Sequence, residues 1–147
     1  HVMMTDSARH LISDKLFFPL SRNPVIFDLW YTPTWKPGHI EIYHLARLMV
    51  IAPCTANFLG KYANGIADDA LTTSAMAYEG EVLLAPAMNT RMWRNPAVQH
   101  NCETLRARGI HFVGPNAGRL ACGDSGEGRM AEVPEILSAV RELLPIS

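Results

Sequence analysis

Two short apolar runs, each stopped by a proline, constrain this chain more than any other feature. Leu48-Met49-Val50-Ile51-Ala52 runs into Pro53, and Val82-Leu83-Leu84-Ala85 runs into Pro86. A strand with one face in water alternates apolar and polar residues. An unbroken apolar run belongs instead to a strand covered on both faces, as in parallel sheets flanked by helices. The intervening residues have the marks of helices. Residues 55–63 are stopped by Asn64-Gly65, and Asp68-Asp69 supplies negative charge where a helix start favours it, ahead of a helix running through Ala77. Pro96 opens a helix to Arg108 that Gly109 closes, residues 110–113 read as a further strand, and Pro134 starts a last helix to Leu144.

The remaining segments are shorter. Residues 2–4 read as the end of a strand, and Thr5-Asp6-Ser7 as the cap of a helix over 8–12. Ser13 or Asp14 caps a second short helix ending near Pro19, and residues 25–27 form a short strand. Residues 28–38 hold Pro33, Pro37 and Gly38 among aromatics and read as a loop, followed by a short helix over 39–46. Residues 114–129 are glycine-rich and aperiodic, which predicts a second loop. Strands alternating with helices predict an α/β fold in one domain over residues 1–147, with a mostly parallel sheet under helices on both faces.

Composition excludes several classes of function. Hydrophobic residues are 48% and charged residues 18%, which is enough for a core and too little charge for a disordered chain. Thirteen basic residues against 14 acidic ones leave a net charge of −1. That balance argues against a nucleic-acid tail or a polybasic membrane anchor. No apolar run approaches the roughly 18 residues that span a bilayer. The cysteines Cys54, Cys102 and Cys122 lack CxxC spacing, which speaks against a disulfide framework and a thiolate zinc site. With no HExxH and no GxSxG either, the expectation is a reduced, cytoplasmic enzyme with no metal, no nucleic-acid partner and no membrane partner.

Ligands of parallel sheets sit beyond the carboxyl ends of the strands, which selects three places. At the first, Thr55 and Asn57 follow Pro53-Cys54. They read either as plain helix capping or as a polar cradle for an anion or a flat heteroaromatic ring with carbonyls. At the second, Asn89 caps a helix or meets a ligand, while Met88, Met92 and Trp93 are core or the wall of an apolar pocket. The third is the loop with Cys122. It is either a lid with glycine hinges or a surface loop with an incidental thiol. His39, after Pro37-Gly38, is a structural histidine or a general base near neutral pH.

Five segments in order resemble one family. They are Gly38-His39-Ile40-Glu41, the Pro-x-x-Ala-Asn segment at 53–57, Gly65-Ile66-Ala67-Asp68-Asp69, Pro86-Ala87-Met88-Asn89-x-x-Met92-Trp93, and Ala121-Cys122-Gly123-Asp124-x-Gly126-x-Gly128-Arg129-Met130. Together they are similar to the homo-oligomeric flavin-containing cysteine decarboxylases, over residues 1 to about 140. The resemblance implies a Rossmann-like, flavodoxin-type three-layer fold binding FMN, and a homotrimer or dodecamer with its active site at a subunit interface. It implies His39 as catalytic base, Asn89 on the substrate carboxylate and Cys122 as final proton donor, with Arg119, Ala121 and Met130 on the substrate side. Thr55, Ala56, Asn57, Phe58 and Ala87 fall at FMN positions, with Thr5 and Ser7 as further candidates.

The activity so implied is FMN-dependent decarboxylation of 4'-phosphopantothenoylcysteine to 4'-phosphopantetheine in coenzyme A biosynthesis, through thioaldehyde and enethiol intermediates. The resemblance implies that FMN, when bound, would supply reversible hydride acceptance at the thiol-bearing carbon, giving a thioaldehyde able to take up the electrons of the breaking carbon–carbon bond, and that return of the hydride would be completed by a proton from Cys122. Alternatives on the same fold are a peptidyl-cysteine decarboxylase of lantibiotic type, which stops at the enethiol, a non-enzymatic regulatory flavoprotein and a prenyl-flavin synthase. Three departures stand out. Phe58 ends a segment that usually ends in Thr, Thr55 stands for Ser, and His44 takes a position that is basic in many relatives. The chain also begins inside the expected second strand, so the first strand, phosphate loop and first helix of the family are expected ahead of His1.

Overall fold

The computed structural model describes residues 1–29, 46–121 and 123–144. The helix expected over 39–46 and nearly all of the loop expected over 28–38 lie outside the described residues. In chain order the elements are α1 (Asp6–Leu11), a 3-10 turn (Asp14–Leu16), α2 (Phe18–Ser21), β1 (Leu48–Cys54), α3 (Ala56–Ala63) and α4 (Ala70–Ala77). There follow β2 (Glu81–Pro86), α5 (Thr90–Trp93), α6 (Pro96–Ala107), β3 (His111–Phe112), β4 (Asn116–Arg119), β5 (Ser125–Arg129) and α7 (Val133–Leu143). They form two units, His1–Ala46 with Gly65–Glu79, and Arg47–Asn64 with Gly80–Ser147.

In the first unit, Thr5 starts α1 by accepting the Ala8 N–H at 3.1 Å. The strands expected at 2–4 and 25–27 reduce to one parallel bridge, Met3 to Ile26, flanked by Met4 N–H to Ile26 O at 2.8 Å and Ile26 N–H to Val2 O at 3.0 Å. The second short helix does not end near Pro19. A turn capped by Ser13 stops, and α2 restarts with Pro19 in its first turn, where a missing N–H leaves no hydrogen bond unmade. α4 opens with a reciprocal capping box. Asp69 accepts the Thr72 N–H at 2.7 Å, and Thr72 Oγ1 accepts the Asp69 N–H at 3.1 Å. The helix then buries only small side chains, Ala70, Thr72, Ser74 and Ala75.

The second unit holds the parallel sheet, in the order β1-β2-β3. β1 and β2 pair from Leu48↔Glu81 to Ile51↔Leu84, slip, and meet again at Cys54↔Pro86. β1 therefore runs one residue past the proline expected to end it, whereas β2 stops at Pro86 as expected. Pro53 sits where the β1–β2 ladder slips in register, between Ile51 and Cys54, so its missing N–H removes no bond of that ladder. From Val82 to Pro86 β2 is buried throughout, as an inner parallel strand should be, whereas Ala52 and Pro53 of β1 are exposed. Leu83 and Ala85 cluster with Ala131 and with Ile136 of α7. Val82 and Leu84 alternate with them and are equally buried, so both faces of β2 are covered. α3 packs against α6, with Phe58, Leu59, Tyr62 and Ala63 buried on one helix and Val98, Cys102 and Leu105 on the other.

Residues 114–129 are not a structureless loop. β4 and β5 pair as an antiparallel ribbon from Asn116↔Arg129 to Arg119↔Ser125. The period-2 pattern is present in Ser125-Gly126-Glu127-Gly128-Arg129, but glycine occupies the inward positions, so hydrophobicity does not register it.

Candidate functional site

Parallel pairing puts the ends of β1 and β2 side by side. The Ala87 N–H donates to the Cys54 carbonyl at 2.9 Å, which joins the segment after β1 to the segment after β2. After β1, Thr55 caps α3 by accepting the Phe58 N–H at 3.3 Å. The Phe58 ring is buried 5.5 Å from the Tyr62 ring, so its side chain belongs to the core. Thr55 and Asn57 are exposed and Ala56 is half-buried. The Thr55 hydroxyl proton, the Asn57 amide and the N–H groups of Ala56 and Asn57, which precede the first capped and intrahelical bonds of α3, form a set of donors. Such a set suits the carbonyl edge of a flat heterocycle, or an anion.

After β2, Ala87 is half-buried and Asn89 is exposed. Asn89 Oδ1 accepts the Met92 N–H at 2.8 Å and so caps α5, which leaves the amide NH2 to donate to a ligand. The ribbon is clasped to this turn. The Met88 N–H donates to the Gly128 carbonyl at 2.9 Å, Thr90 Oγ1 donates to the Glu127 carbonyl at 2.7 Å, and Arg94 Nε meets Glu127 Oε2 at 3.2 Å. The glycines permit this approach. A Cβ on Gly128 would run into the Met88 carbonyl, and one on Gly126 into the Thr90 hydroxyl. These positions are points of contact, where the sequence reading offered hinges.

At the ribbon's turn the Leu120 N–H donates to Asp124 O at 2.8 Å and the Gly123 N–H to Leu120 O at 2.9 Å. Arg119 and Ala121 are exposed there, while Met130, just past β5, packs against the cluster of Leu83, Ala85, Ala131 and Ile136. Thr55, Ala56, Asn57, Phe58, Ala87, Asn89, Arg119, Ala121 and Met130 thus all belong to the second unit. Thr5, which caps α1, and the exposed Ser7 belong to the first. His39 and Cys122 lie outside the described residues. Thr90, Gly126 and Gly128 were not singled out by sequence reasoning for what they do here, because their partners lie more than 35 residues away along the chain.

Two thiols are withdrawn from chemistry. Cys54 and Cys102 are fully buried and free. Burial pushes the Cys54 thiol far up, with Cys102 adding to the shift. Burial also raises Cys102, with Arg106 opposing and Glu103 adding. Both stay protonated at neutral pH and are poor nucleophiles. Among the described residues no group of three or more His, Cys, Asp or Glu could hold a metal ion, and no helix is long and apolar enough to cross a membrane.

Comparison with known proteins places these features in a family context. A family model described as Flavoprotein matches residues 1–145. The coenzyme A biosynthesis bifunctional protein CoaBC of Bacillus subtilis is 44% identical over 142 residues, covering 92% of this chain and 34% of the relative. A solved structure of a PPC decarboxylase mutant complexed with pantothenoylaminoethenethiol matches with a TM-score of 0.87 at 37% identity, over 98% of this chain and 82% of that one. The FMN-dependent cysteine decarboxylase SpaF matches with a TM-score of 0.81 at 33% identity, over 97% of this chain and 75% of that one. The chain spans about a third of the length of the curated relatives it matches.

Proposed function

This chain belongs to the flavoprotein family, with a flavodoxin-type α/β fold, and from that premise we propose that it binds FMN and decarboxylates 4'-phosphopantothenoylcysteine to 4'-phosphopantetheine in coenzyme A biosynthesis. The observation that carries the reading is the meeting of three features in one unit. They are the donor-rich start of α3, the Asn89 turn, and the ribbon clasped to that turn. The donor set at Thr55 and Asn57 fits a flavin, whose pyrimidine edge presents carbonyls and ring nitrogens. FMN, when bound, supplies a reversible two-electron acceptor, the electron sink that a carboxylate beside an amide and a thiol lacks.

The chain's own residues then bind, orient and move protons. We assign Thr55, Ala56, Asn57, the Phe58 backbone and Ala87 to the cofactor, with Thr5 and Ser7 as further contacts. Asn89, its Oδ1 engaged in the cap, holds the substrate carboxylate through its NH2. Arg119, Ala121 and Met130 lie on the substrate side, His39 is the base, and Cys122 returns the last proton. Residues 1–147 belong to one FMN-binding domain in a cytoplasmic homo-oligomer, trimer or dodecamer, with the site at a subunit interface. A second reading, decarboxylation of a peptide's terminal cysteine, is favoured by the likeness to SpaF.

The test supplies the FMN-loaded full chain with 4'-phosphopantothenoylcysteine and, separately, with a peptide ending in cysteine, and weighs the products. Phosphopantetheine from the first and an unchanged peptide are expected. A decarboxylated peptide alone selects the second reading, and no CO2 from either overturns both. His39→Asn should abolish CO2 release with FMN retained, and Cys122→Ser should accumulate the enethiol.

A further inference from the structure

The β4–β5 ribbon has no apolar residue larger than alanine along either strand. Two-stranded ribbons are marginal on their own, and this one has little apolar surface to bury. Its place must come from specific contacts. Among the described residues, three tie it to the turn after β2: the Met88–Gly128 backbone bond, the Arg94–Glu127 ion pair, and the bond from Thr90 Oγ1 to the Glu127 carbonyl; Asn116 with Glu135 and Arg129 with Glu132 hold its other end to the start of α7. The first uses atoms that any residue offers. The second is an exposed ion pair, a class that contributes little. The third needs a hydroxyl at 90 and no side chain at 126, since the Thr90 oxygen occupies the space a Cβ on Gly126 would take.

Thr90 does not spend that hydroxyl on its own helix. The cap of α5 comes from Asn89, one residue earlier, which takes the Met92 N–H. We propose that Thr90 is a positioning residue, its hydroxyl setting the ribbon against the turn that carries Asn89. Its effect on turnover rests on the decarboxylase reading above. Through Thr90 the segment bearing Arg119 and Ala121 is held at a fixed register from the group assigned to the substrate carboxylate. Substrate that must bridge Asn89 and the ribbon then meets a preformed site.

The experiment compares the FMN-loaded full chain with Thr90→Val, which keeps the shape and loses the donor, and Thr90→Ser, which restores the donor. Amide hydrogen exchange over residues 125–129 reads the ribbon directly, without substrate. Steady-state kinetics with 4'-phosphopantothenoylcysteine read the site. Thr90→Val should speed ribbon exchange about fivefold, the weight of one net hydrogen bond, and raise KM by a similar factor with kcat held. FMN content should not change, and Thr90→Ser should recover both readouts. Unchanged exchange in Thr90→Val, failure of Thr90→Ser to rescue, or a parallel loss of kcat and bound FMN each overturns the assignment. If the wild-type chain turns over no substrate, the decarboxylase reading falls, and the exchange comparison still decides whether Thr90 holds the ribbon.

Discussion

Gly128→Ala tests the clasp at its tightest point. Gly128 has φ +121°, on the side of the map that side chains avoid. A non-glycine residue there costs about 1–2 kcal/mol. The added Cβ would also overlap the Met88 carbonyl, a backbone atom that cannot swing aside as the tip of a side chain can. Overpacking of this kind adds roughly 1–3 kcal/mol, so a ribbon that stays in place bears about 2–5 kcal/mol. The ribbon can instead let go. Release forfeits the Met88–Gly128 bond at 2.9 Å and the Thr90–Glu127 bond at 2.7 Å. Those are worth about 1 kcal/mol net each, and the exposed Arg94–Glu127 pair adds less than about 1 kcal/mol. The cheaper route sets the outcome, so the expected loss is about 2–3 kcal/mol, with protection lost in the ribbon and kept in β2. Gly109→Ala is the control. Gly109 has φ +85° and nothing within 4 Å of an added Cβ, so it carries the backbone cost alone. Urea unfolding with linear extrapolation, paired with hydrogen exchange, measures both. If Gly128→Ala costs no more than Gly109→Ala, close approach is not the reason for a glycine at 128, and the reasoning fails.

Three further predictions follow from the same geometry. Asn89→Asp keeps an oxygen for the Met92 N–H, so the urea midpoint should hold, while the added charge repels a carboxylate and lowers kcat/KM roughly 10–100-fold; unchanged kinetics would remove Asn89 from the substrate. Because Cys54 and Cys102 hold their protons more tightly folded than unfolded, their contribution is fully present below the ordinary thiol value of 9.0 and declines as pH rises above it. Unfolding free energy followed across that value should decline less steeply in Cys54→Ala than in the wild type, and equal slopes would refute the burial argument. Arg94→Ala should change the unfolding free energy by less than about 1 kcal/mol, and the difference should shrink in high salt; a larger, salt-insensitive loss would make the ion pair the main fastening of the ribbon.

What was legible in the sequence was whatever is encoded locally. The apolar runs at 48–52 and 82–85, the caps at Thr5, Thr55, Asp69 and Asn89, and the Pro96 start and Gly109 stop of α6 all depend on neighbours within a few residues. The α/β class follows from their alternation. At Met3 the expected strand is a single bridge, because three apolar residues do not say how many partners they will find. Pro86 does end β2, but Pro53 does not end β1, because sequence does not announce the register slip at which a strand tolerates a proline. The ribbon looks like a loop in the sequence because alternation usually shows as hydrophobicity, and here glycine holds the inward positions. Its clasp was invisible for a stronger reason: Thr90 and Glu127 are 37 residues apart, and nothing near either announces the other.

The capping and ligand-binding readings of Thr55 and Asn89, which stand as alternatives in the sequence, are compatible in the structure. Each cap uses one side-chain acceptor: Thr55 Oγ1 takes the Phe58 N–H, and Asn89 Oδ1 takes the Met92 N–H. Each residue also owns a donor that the cap does not use, a hydroxyl proton in one case and an NH2 group in the other. Capping fixes the side chain against its own helix start, so the remaining donor is held in place before any ligand arrives. Because both caps follow strands that pair in parallel, the two donors are anchored to neighbouring strand ends. Serine at 89 would keep an acceptor for the cap and replace the NH2 with one hydroxyl proton of shorter reach. The unfolding free energy of Asn89→Ser should therefore match that of the wild type while carboxylate binding weakens, and a variant that unfolds and loses activity in step would show that the cap alone accounts for the asparagine.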